Sequence, residues 1–346
     1  MAKFYLREVQ DAARRFCSCV TVEDLQQLGI DMSQVQLLSL NPPYYEFDVP
    51  KSSGGFRHIE APESHLKKLL RWFNFYLQCV YFCVQTKASF GYIIRVKGVK
   101  RWKNILENAR SHLGAKSLLN VDFENFFHQI SRQRVCVFLQ KHPFHFDKKT
   151  AFILSKFFTH RGRLPMGSPT SPALSNLAVM EFDEELYDWS CSRELIFTRF
   201  VDDMTFSSRN RPIQLADLEA IKSICGRHGL KLNPAKTTFF DADDEKKVTG
   251  LVLNDTVDIE DSFYKELDGD LKRLKYLVEV SFRIENHNRH ELVMDFKKEV
   301  AGKINFIGMI EGYDSSIFYK YRQRFKRALN PDEEALSSSW ANFSYF

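Results

Sequence analysis

Two adjacent aspartates lie between two apolar runs in the segment LIFTRFVDDMTFS, residues 195–207. The flanking runs, Leu195–Val201 and Met204–Ser207, have the composition of β-strands, so Asp202 and Asp203 are expected at the turn between them. A plain hairpin turn is the alternative, although Asn-Gly or Asp-Gly would suit its positive φ angles better. Adjacent carboxylates repel each other, and a bound divalent cation would offset that repulsion.

A third aspartate has the same setting. The apolar run Leu118–Val121 leads directly into Asp122 in the segment LLNVDFENFF. Three carboxylates at strand ends can hold two Mg²⁺ ions through hard oxygen ligands. Two such ions about 3.5–4 Å apart stabilise both the attacking and the leaving oxygen of a phosphoryl transfer. We therefore predict metal-dependent nucleotidyl transfer at Asp122, Asp202 and Asp203.

Two phenylalanines, Phe126 and Phe127, follow Asp122 at helical offsets. Core packing is the ordinary role of Phe. If Asp122 holds metal and triphosphate, however, a residue about one turn later can lie under the sugar of the incoming nucleotide. A bulky ring there would clash with a ribose 2′-hydroxyl and tolerate a deoxyribose, so Phe127 indicates dNTPs as substrates.

The distribution of charge favours a nucleic-acid partner more than the net charge does. The net charge is only +5, but residues 95–116 hold seven Lys or Arg against one Glu. Residues 318–327 hold five bases and no acid, with four aromatic residues between them. Either run could be a solvated helix face. Bases interleaved with aromatic rings suit combined phosphate contact and base stacking, which favours nucleic-acid binding.

Composition excludes several other classes of protein. Hydrophobic residues make up 44% and charged residues 27% of the chain, unlike a disordered, collagenous or coiled-coil protein. No apolar run reaches the ~18 residues of a membrane span, and the N-terminus has no signal-peptide core. We expect a cytoplasmic protein without a membrane partner. The seven cysteines lack zinc-site spacing and are interpreted as reduced thiols.

The order of predicted elements indicates an α+β fold. Helical patterns cover six segments: 4–40, 62–84, 133–159, 173–188, 215–228 and 262–330. Hairpins are expected at Tyr44–Val49 with Phe56–Ile59, and at Lys246–Leu253 with Thr256–Ile259. Strands and helices mix without regular βαβ alternation, so a doubly wound sheet is not expected.

The motifs of this chain resemble those of one known family. Four segments follow each other in the order of the palm motifs of reverse transcriptases: LNVDFENFF, LPMGSPTSPALSNL, FTRFVDDMTFSS and HGLKLNPAKT. Asn108-Ala-Arg-Ser-His112 matches the Asn-Ala-x-x-His signature of bacterial retron reverse transcriptases, and Val248-Thr-Gly250 matches their Val-Thr-Gly signature. The segment GKINFIGMIEG, residues 302–312, is similar to the thumb of the same family.

The resemblance implies a right-hand polymerase whose antiparallel palm sheet carries the Asp-Asp hairpin. Its parts would be an N-terminal helical extension at 1–40, fingers at 41–118 and 130–175, palm at 119–129 and 176–255, a helical thumb at 256–330 and a tail at 331–346. A bacterial, cytoplasmic location is implied as well.

The resemblance also implies roles for individual residues. Two Mg²⁺ ions would be bound by Asp122, Asp202, Asp203 and the carbonyl of Phe123, and Lys236 would protonate the departing pyrophosphate. Nucleotide contacts would come from Lys51, Arg57, Phe127, Met166 and Gly167. For Lys51, Arg57 and Lys236 a solvated loop charge is the alternative.

The chain departs from the family pattern at two positions. The usual aromatic-Ala-Asp-Asp turn is Phe200-Val201-Asp202-Asp203 here, and Val201 is expected to preserve the turn. The usual Gln before Gly-x-Pro is Met166, which must act by packing. This exchange puts fidelity and nucleotide affinity in question, but not the chemistry.

Retron enzymes recognise one structured RNA and start DNA synthesis at a guanosine 2′-hydroxyl, which leaves a 2′–5′ branch in multicopy single-stranded DNA (msDNA). The resemblance thus implies a cognate retron non-coding RNA, its msDNA product and dNTPs as partners, with an effector protein in anti-phage defence and a higher-order complex. RNA contacts would be Asn108, His112, Val248, Thr249, Gly250, Lys320, Arg322 and Arg324, although His112 could instead cap a helix. An RNA-dependent RNA polymerase and a non-catalytic RNA-binding scaffold are the competing classes; Phe127 argues against the first and the acid triad against the second.

Overall fold

The chain forms two compact units, residues 1–244 and residues 245–346. The computed structural model describes residues 4–50, 54–283 and 291–330. The predicted nucleotide contact Lys51 and the predicted tail 331–346 lie outside these ranges. None of the helices in the described part of the chain has both the length and the apolar composition that a membrane span needs.

Helices make up most of the first unit. They are α1 (Leu6–Cys17), α2 (Val22–Gln27), α3 (Met32–Leu40), α4 (Ser64–Val84), α5 (Ile105–Arg110), α6 (Arg132–Leu139), α7 (Lys148–Phe158), α8 (Ser171–Ala178), α9 (Met180–Ser192) and α10 (Leu215–Arg227). Thr21 caps the N-terminus of α2, because its side chain accepts from the N–H of Asp24 and the Asp24 carboxylate accepts from the N–H of Thr21. The helix expected at 173–188 is divided at Val179 into α8 and α9.

The long helix α4 follows from its apolar spacing. Leu66, Leu70, Phe73 and Leu77 recur every three or four residues and are fully buried, which is the pattern of a helix with one face in a core. This face packs on α1 and α8. The helix therefore ties the N-terminal helices to the body of the first unit.

The strands of the first unit are β1 (Phe4–Tyr5), β2 (Tyr44–Pro50), β3 (Phe56–Pro62), β4 (Val96–Lys97), β5 (Ser117–Asp122), β6 (Ile196–Phe200), β7 (Asp203–Ser208) and β8 (Thr238–Phe240). The last four form one antiparallel sheet in the order β6-β7-β5-β8. Leu118, Leu119, Met204 and Phe206 on its two central strands are buried, while α5 and α9 pack against β6. The predicted α+β fold, with an antiparallel sheet that carries the Asp-Asp hairpin, is confirmed.

The predicted hairpin near residue 50 is confirmed as the pair β2 and β3. Its register places Glu46 opposite Glu60 and Phe47 opposite Ile59. Because side chains alternate along a strand, the two glutamates share one face of the hairpin and the apolar pair shares the other.

The second unit begins with a small antiparallel sheet and continues as helices. Its elements are β9 (Lys247–Val248), β10 (Leu251–Leu253), β11 (Val257–Ile259), α11 (Asp261–Arg283), α12 (Glu291–Glu311) and α13 (Ser316–Leu329). The prediction of one continuous strand over 246–253 was wrong. Thr249 and Gly250 have φ angles of 49° and 80° and turn the chain, which divides this segment into β9 and β10. The helical prediction for 262–330 is confirmed over the described residues.

Candidate active site

The Asp-Asp hairpin is formed by β6 and β7, with Phe200 opposite Asp203. The two-residue turn consists of Val201 and Asp202, one residue earlier than the sequence predicted, and Asp203 is already the first residue of β7. Val201 has φ 65°, a conformation that β-branched residues rarely adopt. Gly91 makes room for it, since a Cβ at Gly91 would lie 2.8 Å from Cγ2 of Val201.

The three predicted acids meet at this turn. Asp122 is the direct cross-strand partner of Asp203 in the β5–β7 ladder, and Asp202 joins them from the turn. Carboxylate oxygens of the three residues all lie within 4.8 Å of one another. The sequence predicted that these acids come together. They do so because the pairing register of β5 and β7 places the last residue of β5 opposite the first residue of β7.

The electrostatics of the triad favour a cation. Burial, a hydrogen bond with Asp122 and the charges of Asp202 and Asp122 raise the pKa of Asp203 to about 7. Burial and the Asp122 carboxylate also raise the pKa of Asp202. Three adjacent carboxylates, two of which have raised pKa values, form a set of hard oxygen donors that a divalent metal would neutralise and satisfy.

Lys236 reaches the triad from the short 3-10 turn Pro234–Lys236. Its Nζ lies 2.8 Å from Oδ2 of Asp122, and this hydrogen bond is the main cause that raises the pKa of Lys236. A lysine with a raised pKa is a weaker proton donor while Asp122 remains its partner. The general-acid role of Lys236 therefore stays a prediction.

A cavity of about 590 Å³ adjoins the triad and brings the predicted site residues together. Its lining includes eight of them: Arg57, Asp122, Phe123, Phe127, Met166, Gly167, Asp202 and Lys236. Tyr92 and His128 also line it, and sequence reasoning missed both. The only available signal was that His128 directly follows Phe127, since nothing in the pattern around Tyr92 distinguishes it from a surface aromatic.

Gly167 has a physical reason to be glycine. Its φ is 134°, and an added Cβ would lie 2.7 Å from the carbonyl oxygen of Glu60 and 3.1 Å from Cγ2 of Ile59. The sequence analysis assigned Gly167 to the nucleotide contacts. The structure adds a close approach to the backbone of β3, which fixes the loop against the hairpin.

Two predicted RNA contacts are corrected by burial. Asn108 is 1% and His112 0% exposed, so neither side chain is accessible to an RNA. The ring of His112 lies 2.6 Å from Oγ of Ser207 and 2.7 Å from Oγ1 of Thr198. These two hydrogen bonds join β7 to β6. The ring therefore does not cap a helix, which was the alternative role. Burial, followed by the charge of Arg209, lowers the pKa of His112 to about 3. His112 is thus a neutral bridge behind the Asp-Asp hairpin.

The predicted RNA contacts of the second unit differ in accessibility. Val248 is buried, Thr249 is half-buried and Gly250 is exposed at the turn between β9 and β10. On α13, Lys320 and Arg322 are exposed.

The remaining residues of the aromatic and basic run on α13 are partly committed to packing. Arg324 pairs with Asp268 and lies over the ring of Tyr321 at 5.1 Å. Phe318 and Tyr321 are buried, whereas Tyr319 is 49% exposed. Of the three RNA contacts predicted on this helix, Lys320 and Arg322 are therefore the accessible charges, while Arg324 is paired with Asp268.

Comparison with known proteins agrees with the geometry. The family model described as reverse transcriptase (RNA-dependent DNA polymerase) matches residues 49–254. Retron Ec86 reverse transcriptase of Escherichia coli is 33% identical over 171 residues, 49% of this chain and 53% of that protein. Retron Mx162 reverse transcriptase of Myxococcus xanthus is 27% identical over 261 residues, 66% of this chain and 52% of that protein. The chain spans about half the length of these curated relatives, and the predicted resemblance to retron reverse transcriptases is confirmed.

Among solved structures, telomerase from Candida albicans, in complex with a fragment of telomeric RNA, matches 87% of this chain and 66% of its own. The identity is 12% and the TM-score is 0.43.

Proposed function

The chain belongs to the reverse transcriptase (RNA-dependent DNA polymerase) family, and from this membership we propose that it copies an RNA template into DNA. One observation carries the proposal: the carboxylates of Asp122, Asp202 and Asp203 converge within 4.8 Å beside a cavity whose lining includes Phe127. The triad supplies the donors for metal-dependent nucleotidyl transfer, and the aromatic ring suits a deoxyribose.

The donor set of the triad suits a pair of Mg²⁺ ions, which when bound would lower the pKa of the attacking hydroxyl and neutralise the triphosphate. The ladder between β5 and β7 holds Asp122 and Asp203 at adjacent positions. The Val201–Asp202 turn presents the third carboxylate to the same point. The Phe123 carbonyl is a further candidate ligand, and Lys236 adds a positive charge beside Asp122.

The cavity offers complementary contacts for a deoxynucleoside triphosphate. Arg57 lies on β3 in the cavity wall, and its planar guanidinium can hold two phosphate oxygens at once. Phe127 provides the ring that would lie under the sugar, while Met166 and Gly167 provide a loop of apolar side chain and accessible backbone. We propose that these four residues bind the incoming dNTP.

We further propose that the template is a structured retron non-coding RNA, primed at a guanosine 2′-hydroxyl to give msDNA, and that the chain acts with an effector protein in anti-phage defence. Support comes from the Asn-Ala-x-x-His and Val-Thr-Gly signatures and from the retron relatives. In this proposal Gly250, Lys320 and Arg322 contact the RNA because they are exposed. The β5–β8 sheet is the palm, the β2–β3 hairpin belongs to the fingers and α11–α13 form the thumb.

The test of polymerisation uses the full chain, Mg²⁺, a primed RNA template and each class of nucleotide. We expect dNTP incorporation, and a loss of at least about a thousandfold in kcat for Asp202→Asn, roughly 4 kcal/mol of activation free energy. Asp188→Asn, an exposed acid on α9, is the control and should retain wild-type kcat. Incorporation of NTPs in place of dNTPs would favour an RNA polymerase, and no incorporation by the wild type would favour a binding scaffold.

A further inference from the structure

Glu60 is a carboxylate in an unusual place. It lies on β3 with 0% exposure, although acidic residues are almost never fully buried unless they are paired. Three donors surround it: Nε2 of His128 at 2.9 Å, Nη2 of Arg163 at 3.2 Å and the backbone N–H of Met166 at 3.0 Å. An ionised carboxylate only accepts hydrogen bonds, so Nε2 of His128 is the donor.

The ionised state of Glu60 follows from these partners. Burial alone would raise its pKa. The hydrogen bonds from His128 and from the N–H of Met166, with the positive charges of His128 and Arg163, outweigh burial and hold the pKa of Glu60 at about 2. The carboxylate is therefore charged throughout the pH range in which a polymerase would work.

The backbone of Glu60 makes a second attachment to the same loop. Its N–H donates to the carbonyl of Met166 at 2.7 Å, so Glu60 and Met166 are joined by two hydrogen bonds in opposite directions. The next residue, Gly167, approaches the carbonyl of Glu60 so closely that a Cβ would not fit. The loop of Met166 and Gly167 is thereby fixed to β3, the strand that also carries Arg57.

His128 brings in a third element. It directly follows Phe127 on the short 3-10 turn Phe126–Gln129 and lines the same cavity. We propose that Glu60 is a positioning residue that locks three walls of the nucleotide pocket together: β3, the Met166–Gly167 loop and the Phe127–His128 turn. We call Glu60 with His128, Arg163 and Met166 the Glu60 clamp. Its role in nucleotide binding rests on the proposed function.

A neighbouring glutamate supplies the matched control. Glu46 lies opposite Glu60 in the hairpin register and also pairs with His and Arg side chains, namely His160 at 3.0 Å, His58 at 3.3 Å and Arg161 at 2.8 Å. Oxygens of both glutamates and a ring nitrogen of His160 lie within 4.8 Å of one another, but Arg161 and Arg163 already neutralise the two carboxylates without a metal. Within the described ranges, Glu46 makes no hydrogen bond to Met166 or His128.

The first experiment compares Glu60→Gln with Glu46→Gln in steady-state dNTP incorporation. A glutamine at position 60 keeps the size of the side chain, but it removes the charge and turns one acceptor into a donor that faces other donors. We expect the KM for dNTP to rise roughly 10- to 100-fold, with a smaller fall in kcat and an unchanged KM for template-primer. Glu46→Gln should keep the KM for dNTP within about twofold.

Three results would overturn the clamp: an unchanged KM for dNTP in Glu60→Gln, an equal rise in Glu46→Gln, or an equal rise in the KM for template-primer. If Glu60→Gln does not fold, Arg163→Lys takes its place. That variant keeps the positive charge but loses the reach of the guanidinium to Glu60, and we expect a smaller rise in the KM for dNTP. An unchanged KM there would equally contradict the proposal.

A second readout separates the clamp from the proposed function. Amide hydrogen exchange at Met166 needs no catalysis, and its N–H is held by the Glu60 carboxylate. We expect faster exchange at Met166 in Glu60→Gln and wild-type exchange in Glu46→Gln. If the wild type incorporates no dNTP, the proposed polymerase function fails while exchange still tests the clamp. Unchanged protection of Met166 would reject the clamp alone.

Discussion

Phe127 combines two properties that allow its role to be tested at the scale of one residue. It is half-buried rather than enclosed, and it lines the cavity beside Asp122, whereas its neighbour Phe126 is 2% exposed and belongs to the core. The ordinary core role therefore applies to Phe126. A ring with a free face on the cavity is the arrangement that sugar discrimination requires.

Removing that ring should relax sugar selection. For Phe127→Ala we expect the ratio of NTP to dNTP incorporation efficiency to rise by about 10-fold or more, since roughly 1.4 kcal/mol of discrimination is a factor of 10. Met166→Ala is the control, because it enlarges the same cavity without removing the ring, and it should change both nucleotides in parallel. An unchanged ratio in Phe127→Ala would remove its gate role.

His112 makes the stability of the first unit depend on pH. Its pKa is lowered to about 3 in the folded chain, against about 6.5 in an unfolded one. The unfolded state therefore binds a proton between these values while the folded state does not. Stability from the neutral ring is fully present above about pH 6.5 and is lost as the pH falls toward 3.

The measurable consequence is a difference between variants. Between pH 7 and pH 5, the free energy of unfolding of the wild type should fall by about 2 kcal/mol because His112 takes up a proton only in the unfolded state. The variant His112→Gln should lack this part of the pH dependence. Glutamine can still offer a donor and an acceptor to Thr198 and Ser207. His65→Gln, an exposed histidine on α4, should keep the wild-type pH dependence. Parallel pH curves for wild type and His112→Gln would contradict the assignment.

At the scale of elements, the apolar strands next to the aspartates could be predicted from the sequence. The hydrogen bonds of the buried polar side chains could not. The strands around Asp122 and Asp203 were visible because one apolar run leads into Asp122 and another directly follows Asp203, so the meeting of the two acids followed from strand pairing. Glu60 was missed because a charge on a hairpin ordinarily faces solvent. For His112 the motif was visible, but burial depends on α5 packing against β6, which sequence does not display.

Backbone conformation explains the remaining differences. The turn at Val201 starts one residue early because a β-branched residue adopts a positive φ there, against its intrinsic preference. Thr249 does the same between β9 and β10. Tertiary packing selects these conformations, as Gly91 shows by leaving space for Val201. A local pattern of residues carries no signal for such a choice.

The loop that follows Tyr92 is an element with a concentrated positive charge. Trp102 closes it by donating from its indole N–H to the carbonyl of Ile93 at 3.1 Å, and Arg95 lies over the Trp102 ring at 5.1 Å. Lys97, Lys100 and Arg101 on this loop are exposed, and the sequence has no Asp or Glu from residue 64 to residue 106. Because Tyr92 lines the cavity beside the triad, we predict that the loop holds the backbone of a nucleic acid that enters this cavity.

Neutralising this loop should weaken nucleic-acid binding in a salt-dependent way. For Lys100→Gln with Arg101→Gln we expect a higher Kd for primed RNA and a slope of log Kd against log salt that is shallower by about 2. Lys148→Gln with Lys149→Gln, two exposed lysines of α7, should keep the wild-type slope. Equal slopes in both pairs would show that the loop does not contact phosphates.

At the scale of the whole molecule, nucleic-acid contacts are predicted in both compact units, while the acid triad belongs to the first unit alone. Residues 1–244 contain the triad and the cavity, and residues 245–346 contain the Thr249–Gly250 turn and α13. The net charge of +5 does not reveal these sites, since the acids that could hold metal ions and the bases that could hold phosphates cancel in the sum. The affinity that α13 contributes should therefore be separable from the chemistry, because α13 and the triad belong to different units.

The last prediction tests this separation by combining variants. Lys320→Gln with Arg322→Gln on α13 should raise the Kd for primed RNA and leave kcat at saturating RNA unchanged, because neither residue belongs to the unit that holds the triad. Combined with the Lys100→Gln and Arg101→Gln pair, the losses in binding free energy should add within about 0.3–0.5 kcal/mol, as expected for independent sites on one ligand. Lys298→Gln, an exposed lysine of α12, is the control in the same unit. An unchanged Kd for the α13 pair would show that Lys320 and Arg322 do not contact the RNA, and a lower kcat would show that α13 also takes part in forming the active site.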